Sequence, residues 1–265
     1  MRNCANTIKI AACLFFLFFI GIEQIAAQPQ EQEKPLKLGI CFGYSFSGFR
    51  DETDIPLNRY INSPVFIIDG NIENGNLLYS FNFGFLSGKS NALEIIYNDD
   101  FFVYHQREAA FYRLYFENAL DYFMWGDQTF PGYLGGALRG DVYFSYLIET
   151  IYYNITALAS LNLHVTQKWI IDSNNELCFS ASIPVFGYAL RPPYYGLLYS
   201  PFDLEKRIIS VHNYWALFGN LKYQYKINSL IYFNSGLGFE LSRINFPQPR
   251  KDAAFRLNAG IAFAF

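Results

Sequence analysis

The chain has 265 residues and a formal net charge of −3; 52% of its residues are hydrophobic and 20% are aromatic, with 28 Phe and 21 Tyr. Charged residues make up only 16%, against about 25% in soluble domains, and the slight acidity argues against nucleic acid, whose phosphates need concentrated positive charge. Beyond one short run near the start, no apolar stretch approaches the roughly 20 residues of a helical membrane span, so the apolar side chains alternate with others along the chain.

Arg2 and Lys9 precede an apolar run over residues 10–22, and Gln24-Ile25-Ala26-Ala27 offers a cleavage site before Gln28. Residues 1–27 therefore read as a signal peptide and 28–265 as the exported domain. Ile10-Ala11-Ala12-Cys13 imitates a lipoprotein box, but the apolar residues 14–20 follow that cysteine, where a lipobox has them before it. Removing the signal moves the net charge to −4 and leaves Cys41 and Cys178. These two are far apart with no CxxC spacing, so neither a metal site nor a disulfide framework is expected, and no cofactor is implied.

After a polar lead over 28–35, Leu36, Leu38, Ile40, Phe42, Tyr44 and Phe46 alternate with Lys37, Gly39, Cys41, Gly43, Ser45 and Ser47. Period-2 alternation puts the two sets on opposite faces of a strand. Residues 50–59, charged and containing Pro56, read as a loop, 60–68 as a returning strand and 69–76 (DGNIENGN) as a turn. Leu77, Tyr79, Phe81, Phe83 and Phe85 mark a third strand, 87–91 (SGKSN) a turn, and Leu93, Ile95 and Tyr97 open a fourth.

Residues 99–150 are ambiguous. Residues 107–124 fit an amphipathic helix, but a long aromatic insert between strands would be unusual. The preferred reading carries the fourth strand to His105, places strands over 110–116 and 128–138, turns at Arg139-Gly140-Asp141, and continues over 142–148. Ile155, Ala157, Ala159, Leu161, Leu163 and Val165 then form one face of a strand, with a turn at 172–175 and a strand marked by Leu177, Phe179, Ala181, Ile183 and Val185. Residues 191–207, with three prolines and no alternation, read as a long loop. Strands marked by Trp215 to Tyr225 and by Ile231 to Leu241 follow, and 245–252 reads as the last loop.

The chain ends on Phe255, Leu257, Ala259, Ile261, Phe263 and Phe265 alternating with Arg256, Asn258, Gly260, Ala262 and Ala264. One face is wholly apolar and the other small or polar, as a strand between lipid and a polar lumen requires. Here the sequence resembles the single-chain outer-membrane β-barrels of Gram-negative bacteria, whose closing strand typically ends in Phe. The resemblance is one of architecture and covers nearly the whole exported chain. It implies an all-β, closed antiparallel transmembrane β-barrel of about 12 strands (about 10 if 107–138 lies outside the wall), both termini periplasmic, residing in the cell outer membrane. Outer-membrane lipid and the barrel assembly machinery become the expected partners, with a small solute or a protein at the external loops as a further one.

Inward parity falls on Glu94, Arg113, Glu149, His164, Lys222, Glu240 and Arg256, and on Glu117 as well. A narrow barrel holds such charges by pairing them with each other or with lumen water, which implies a narrow or plugged barrel with a structural, partner-binding or small-solute channel role. The alternative is a lipid-active hydrolase or rim protease. Outer-membrane lipases place His and Ser closely on one strand, and omptin-like proteases use an Asp-His pair at the outer rim. The residue two beyond each histidine is Arg107, Thr166 or Tyr214, never Ser, so His212, downstream of Ser200, Asp203 and Glu205 and near Ser210, is the best candidate. The reading predicts a β-rich circular dichroism spectrum and heat-modifiable migration of the folded protein; a helical spectrum would overturn it.

Overall fold

Alternation of the kind carried by the first and last strands closes the chain into a ring. The computed structural model describes residues 36–51, 55–98, 101–147, 153–191, 204–246 and 249–265, with backbone only over 51, 55–59, 90–98, 101–109, 146–147 and 153–154. The strands are β1 (Lys37–Asp51), β2 (Ile55–Asn74), β3 (Leu77–Asn98), β4 (Phe101–Trp125), β5 (Gly132–Leu147), β6 (Tyr153–Ile170), β7 (Asn175–Arg191), β8 (Glu205–Ser210), β9 (Tyr214–Lys226), β10 (Ile231–Asn245) and β11 (Pro249–Ala264).

The order β6-β5-β4-β3-β2-β1-β11-β10-β9-β7 is shut by pairing of β6 with β7, making ten antiparallel strands. β8 stands outside this ring: it pairs with residues 186–191 of β7, along the edge that β9 occupies at residues 175–182. Closure is the β1–β11 ladder, running in unbroken register from Lys37↔Ala264 to Asp51↔Arg250, with Phe265 N donating to Leu36 O at 3.0 Å. A closed ring leaves no unpaired edge, the condition for placing a sheet in lipid.

Ten strands replace the expected twelve because two segments read as turns are strand interior. Residues 87–91 lie within β3 and pair with β4; Arg139-Gly140-Asp141 lies within β5 between β4 and β6. In these segments Gly88, Arg139 and Asp141 face the lumen, while Lys89 and Gly140 lie on the outer face. The count of ten also arises differently from the alternative reading, since 107–125 and 132–138 are wall, and residues 107–124 are strand, not helix. The segments read as loops at 50–59 and 245–252 are largely strand as well. Residues 1–35 and 192–203, with the signal peptide, the polar lead and most of the long loop, lie outside the described residues.

One end of the barrel, the terminal end, carries both ends of the described chain and the connections at 75–76, 126–131, 171–174 and 227–230. Its turns follow local chemistry: Gly75 and Gly126 take positive φ (55° and 94°), which costs glycine nothing. Asp172 accepts from the backbone N–H groups of Asn174 and Asn175 and from the Asn175 amide at 2.7–2.8 Å, and these bonds, the Asn174 one foremost, hold its carboxyl below the usual carboxylate range. At the other, distal end, β3 and β4 outrun their neighbours. From Asn91↔Glu108 to Asn98↔Phe101 they pair only with each other among the described residues, as a two-stranded ribbon.

Along β1, Ile40, Phe42, Tyr44 and Phe46 are exposed while Cys41 and Ser45 are buried. On β11, Phe255, Leu257, Ile261, Phe263 and Phe265 are exposed outward, and Ala262 and Ala264 are buried. Deleting residues 263–265 removes the last pairs of the closing ladder. Such a truncation is expected to lose heat-modifiable migration and to remain unassembled, as is Phe265→Asp; normal assembly of either would count against the closure described here.

Candidate functional site in the lumen

The inward faces of β4, β5, β10 and β11 meet at Glu240, which is 1% exposed. Arg113 Nη2 donates to Glu240 Oε1 at 2.7 Å and to Asp141 Oδ1 at 2.5 Å, and Arg113 Nε donates to Asp141 Oδ1 at 3.1 Å. Arg139 Nε donates to Asp141 Oδ2 at 2.9 Å; its Nη1 reaches Glu117 Oε2 at 3.4 Å and its Nη2 reaches Glu240 Oε2 at 3.5 Å. Arg256 Nη2 lies 3.7 Å from the same Glu240 oxygen. Three guanidiniums thus face three carboxylates. Charge-assisted bonds of this kind are about twice as strong as neutral ones.

The Tyr115 ring is the platform of the cluster. The Arg113, Arg139 and Arg256 guanidinium carbons lie 5.5, 5.3 and 4.6 Å from its centroid, within cation–π range. Arg139 also stacks on Phe218 at 3.7 Å and Arg113 on Tyr143 at 4.7 Å. Room for Tyr115 comes from the neighbouring strand, where a Cβ on Gly84 would sit 2.2 Å from the ring. Any larger residue there would displace the platform.

Distal to this layer apolar and aromatic side chains dominate the lumen, joined by buried Arg191 and by the Arg250–Asp252 pair at 2.8 Å. Ala189, Ile209, Tyr214, Ala216, Phe218, Ile244 and Phe246 form one packed group; Ile61, Phe111 and Tyr143, with Phe49 and Leu158, form another. Arg191, fully buried, donates through Nη1 to Phe246 O at 2.5 Å. Toward the terminal end the filling is polar. Lys222 pairs with Asp69, Lys168 with Glu73 at 2.7 Å, and Lys37 with Glu176 at 3.3 Å. Asp121 Oδ2 lies 2.7 Å from His164 Nδ1 and accepts from Thr166 Oγ1 at 2.9 Å. Two cavities remain beside Glu117, Asp69 and Lys222, with room for ≈ 50 and ≈ 100 Å³, enough for a few waters.

Of the residues singled out by parity, Arg113, Glu240 and Arg256 come together in one cluster, while His164 and Lys222 stand in separate pairs. Glu94 sits on β3 at the register of His105; its side chain and the whole of Glu149 lie outside the described residues. The reading as a turn missed Arg139 and Asp141. The signal was present: Ala137, Arg139, Asp141, Tyr143 and Ser145 alternate with Leu138, Gly140, Val142, Phe144 and Tyr146 without a break. His212 is exposed in the turn between β8 and β9, a turn held by Ser210 N donating to Asn213 Oδ1 at 2.8 Å; Ser200 and Asp203 are outside the described residues. Cys41 and Cys178 are both free thiols.

Removing one partner of a buried charge network leaves the others uncompensated, at about 3–5 kcal/mol. Glu240→Gln is expected to destabilise the folded barrel by about that much, read as a lower urea midpoint in detergent micelles; an unchanged midpoint would show that the cluster does not hold the lumen together.

No protein-family model matches the sequence, and no curated protein matches it either. Solved structures do. The outer membrane protease OmpT from Escherichia coli superimposes with a TM-score of 0.57 at 8% identity, covering 89% of this chain and 99% of that one. Neisserial surface protein A matches at 0.40 and 8% identity over 89% of this chain and 100% of its own. The translocator domain of the autotransporter NalP from Neisseria meningitidis matches at 0.41 and 8% identity over 98% of each. At such identity the likeness to OmpT is one of fold: the chain has the fold of the single-chain outer-membrane β-barrels.

Proposed function

We propose that the protein is an integral outer-membrane β-barrel with a plugged lumen, serving as a structural or partner-binding element rather than as an open pore. The observation that carries this reading is the filled interior: a largely apolar layer, a buried cluster of three arginines and three carboxylates, and a polar layer follow one another along the axis. Side chains can fill an eight-stranded barrel, and diameter grows with strand number; ten strands leave a bore that these large residues still occupy. Among the described residues, narrow cavities near Lys222 and Asp69 offer room for a small solute or a few waters.

In this reading the terminal end is periplasmic, residues 1–27 are the export signal, and the closing strand with Phe255, Leu257, Ile261, Phe263 and Phe265 is what the barrel assembly machinery recognises. The β3–β4 ribbon supports the partner-binding role. It presents two strand edges unpaired among the described residues at the distal end, and such edges can accept a strand from a protein partner. A hydrolase or rim protease, the activity named for OmpT, would need a histidine beside a carboxylate or nucleophile at the distal end. Among the described residues the Asp-His pair is Asp121–His164, buried in the half toward the terminal end.

In planar bilayers the purified protein is expected to give little or no steady conductance, and Arg256→Gln is expected to lower stability without opening a pore. Large, unselective, porin-sized conductance from the wild-type protein would refute the plugged lumen. A change of ion selectivity in Arg256→Gln at unchanged stability would show a filter instead.

A further inference from the structure

The two cavities of the polar half adjoin, for Asp69, Asn82, Glu117, Ser180, Asn220 and Lys222 line both. Every residue around them is among the described ones. The larger, ≈ 100 Å³, reaches Asn71 and Glu176 near the terminal end; the smaller, ≈ 50 Å³, ends at Arg139 and Arg256 of the central cluster. At about 30 Å³ per water, the joined space takes a polar molecule of about five non-hydrogen atoms. Its hollow comes from β10, whose inward positions here are Gly236 and Gly238: a Cβ on Gly236 would lie 2.7 Å from Asn258 Oδ1, and one on Gly238 would lie 3.3 Å from Arg256 Nε.

Charges of both signs face this space, from different arcs of the ring. On one arc Asp69 of β2, Asn82 of β3 and Glu117 of β4 stand directly beside one another in register, so an amide lies between two carboxylates. Asn82 Oδ1 is buried without a hydrogen-bond partner. Three such acceptors in a row suit an ammonium, which has three donors to place. From the other arc comes Arg256 of β11, 6% exposed, whose Nη1 is also buried without a partner. Its Nη2 faces Glu240 at 3.7 Å, beyond hydrogen-bonding distance. Lys222 of β9 reaches across to Asp69, a bond that uses one of its three donors. A lone anion in this space would meet the carboxylates of Asp69 and Glu117, and a lone cation would meet Arg139, Arg256 and Lys222; away from water such repulsions are strong. A molecule carrying both signs meets its complement at each end.

We propose that this space binds a small zwitterion of the α-amino-acid class, glycine or alanine in size, with its ammonium on Asp69, Asn82 and Glu117 and its carboxylate on Arg256 and Lys222. A guanidinium grips a carboxylate through charge-assisted bonds and the lysine adds a point charge. Binding gives partners to both orphan atoms, Asn82 Oδ1 and Arg256 Nη1, whose burial unpaired is costly. The site exists only in a filled lumen, so it rests on the plugged reading above, and it is independent of any protein partner at the distal end.

The test is equilibrium dialysis of the full chain, folded in detergent micelles, against radiolabelled glycine at millimolar concentration, with heat-modifiable migration confirming the fold of each variant. Wild type is expected to retain glycine above the level of empty micelles. Unlabelled glycine or L-alanine is expected to displace it at least tenfold more effectively than acetate or methylamine, which carry one charge each. Arg256→Gln is expected to lower retention at least tenfold. Because Arg256 also belongs to the central cluster, Asn82→Leu is the second variant: it keeps every ion pair of the lumen, removes the amide and fills the space, and the same loss is expected. Absence of retention by the folded wild type would overturn the proposal and mark a space for water alone. Displacement by acetate or methylamine as effective as by glycine would overturn it in favour of a simple anion or cation site, and unchanged retention by folded Asn82→Leu would overturn it as well. Porin-sized conductance of the wild type would remove the plugged lumen and the site together, whereas a non-conducting barrel without retention overturns the site alone.

Discussion

A ring of ten strands encloses a volume that something must fill, and the rest of this structure follows from how that is done. Large aromatic and arginine side chains do most of the filling, and Glu240 decides where they go. It receives Arg113, Arg139 and Arg256 from three different strands, so its carboxylate ties β4, β5 and β11 to β10 across the bore. Backbone ladders alone connect each strand only to its neighbours. The Glu240 contacts run from wall to wall, which a ladder cannot do.

The energetics of such a cluster favour definition of one arrangement over raw stability. Taking ions from water costs several kcal/mol per ion, and their mutual attraction offsets this only with good geometry and full hydrogen bonding. At the centre Arg113 and Arg139 meet these conditions through bonds to Asp141 and Glu240, while Arg256 faces Glu240 at 3.7 Å and its Nη1 is buried without a hydrogen-bond partner. The three guanidiniums are balanced by Glu240, Asp141 and Glu117, and the Tyr115 face takes cation contacts that water would otherwise provide. A shift of any strand by one residue would turn its charge into the apolar outer face, so the cluster also fixes register around the wall.

The parts of this fold that were legible in the sequence were those where the two faces differ most. β1 and β11 alternate between Leu, Ile or Phe and Gly, Ser or Ala, and their inward and outward sets match the exposures. Legibility failed where the lumen itself is occupied. At Arg139-Gly140-Asp141 the rules of soluble proteins read charge plus glycine as a turn, but in a barrel the inward face is where charge belongs, and Gly140 lies on the outer wall where a Cβ would meet the Phe116 ring at 2.3 Å. The same confusion cut β3 at residues 87–91. Pairing partners were not legible at all: nothing along the chain says that Arg113 meets Glu240 127 positions away, because that contact depends on the curvature of the closed ring.

The wall thus separates two kinds of charge that a count of residues would merge. Inside, the central cations and anions are matched and buried, so their counter-ions belong to the protein and salt has little access to them. Outside, the charged side chains described at outward strand positions, Arg50, Lys89, Lys206, Arg243 and Lys251, share one sign and stand exposed. A chain whose net charge is slightly negative nonetheless carries only basic residues among the charged side chains described at outward strand positions, the described acids lying in the lumen, in turns and at inward register.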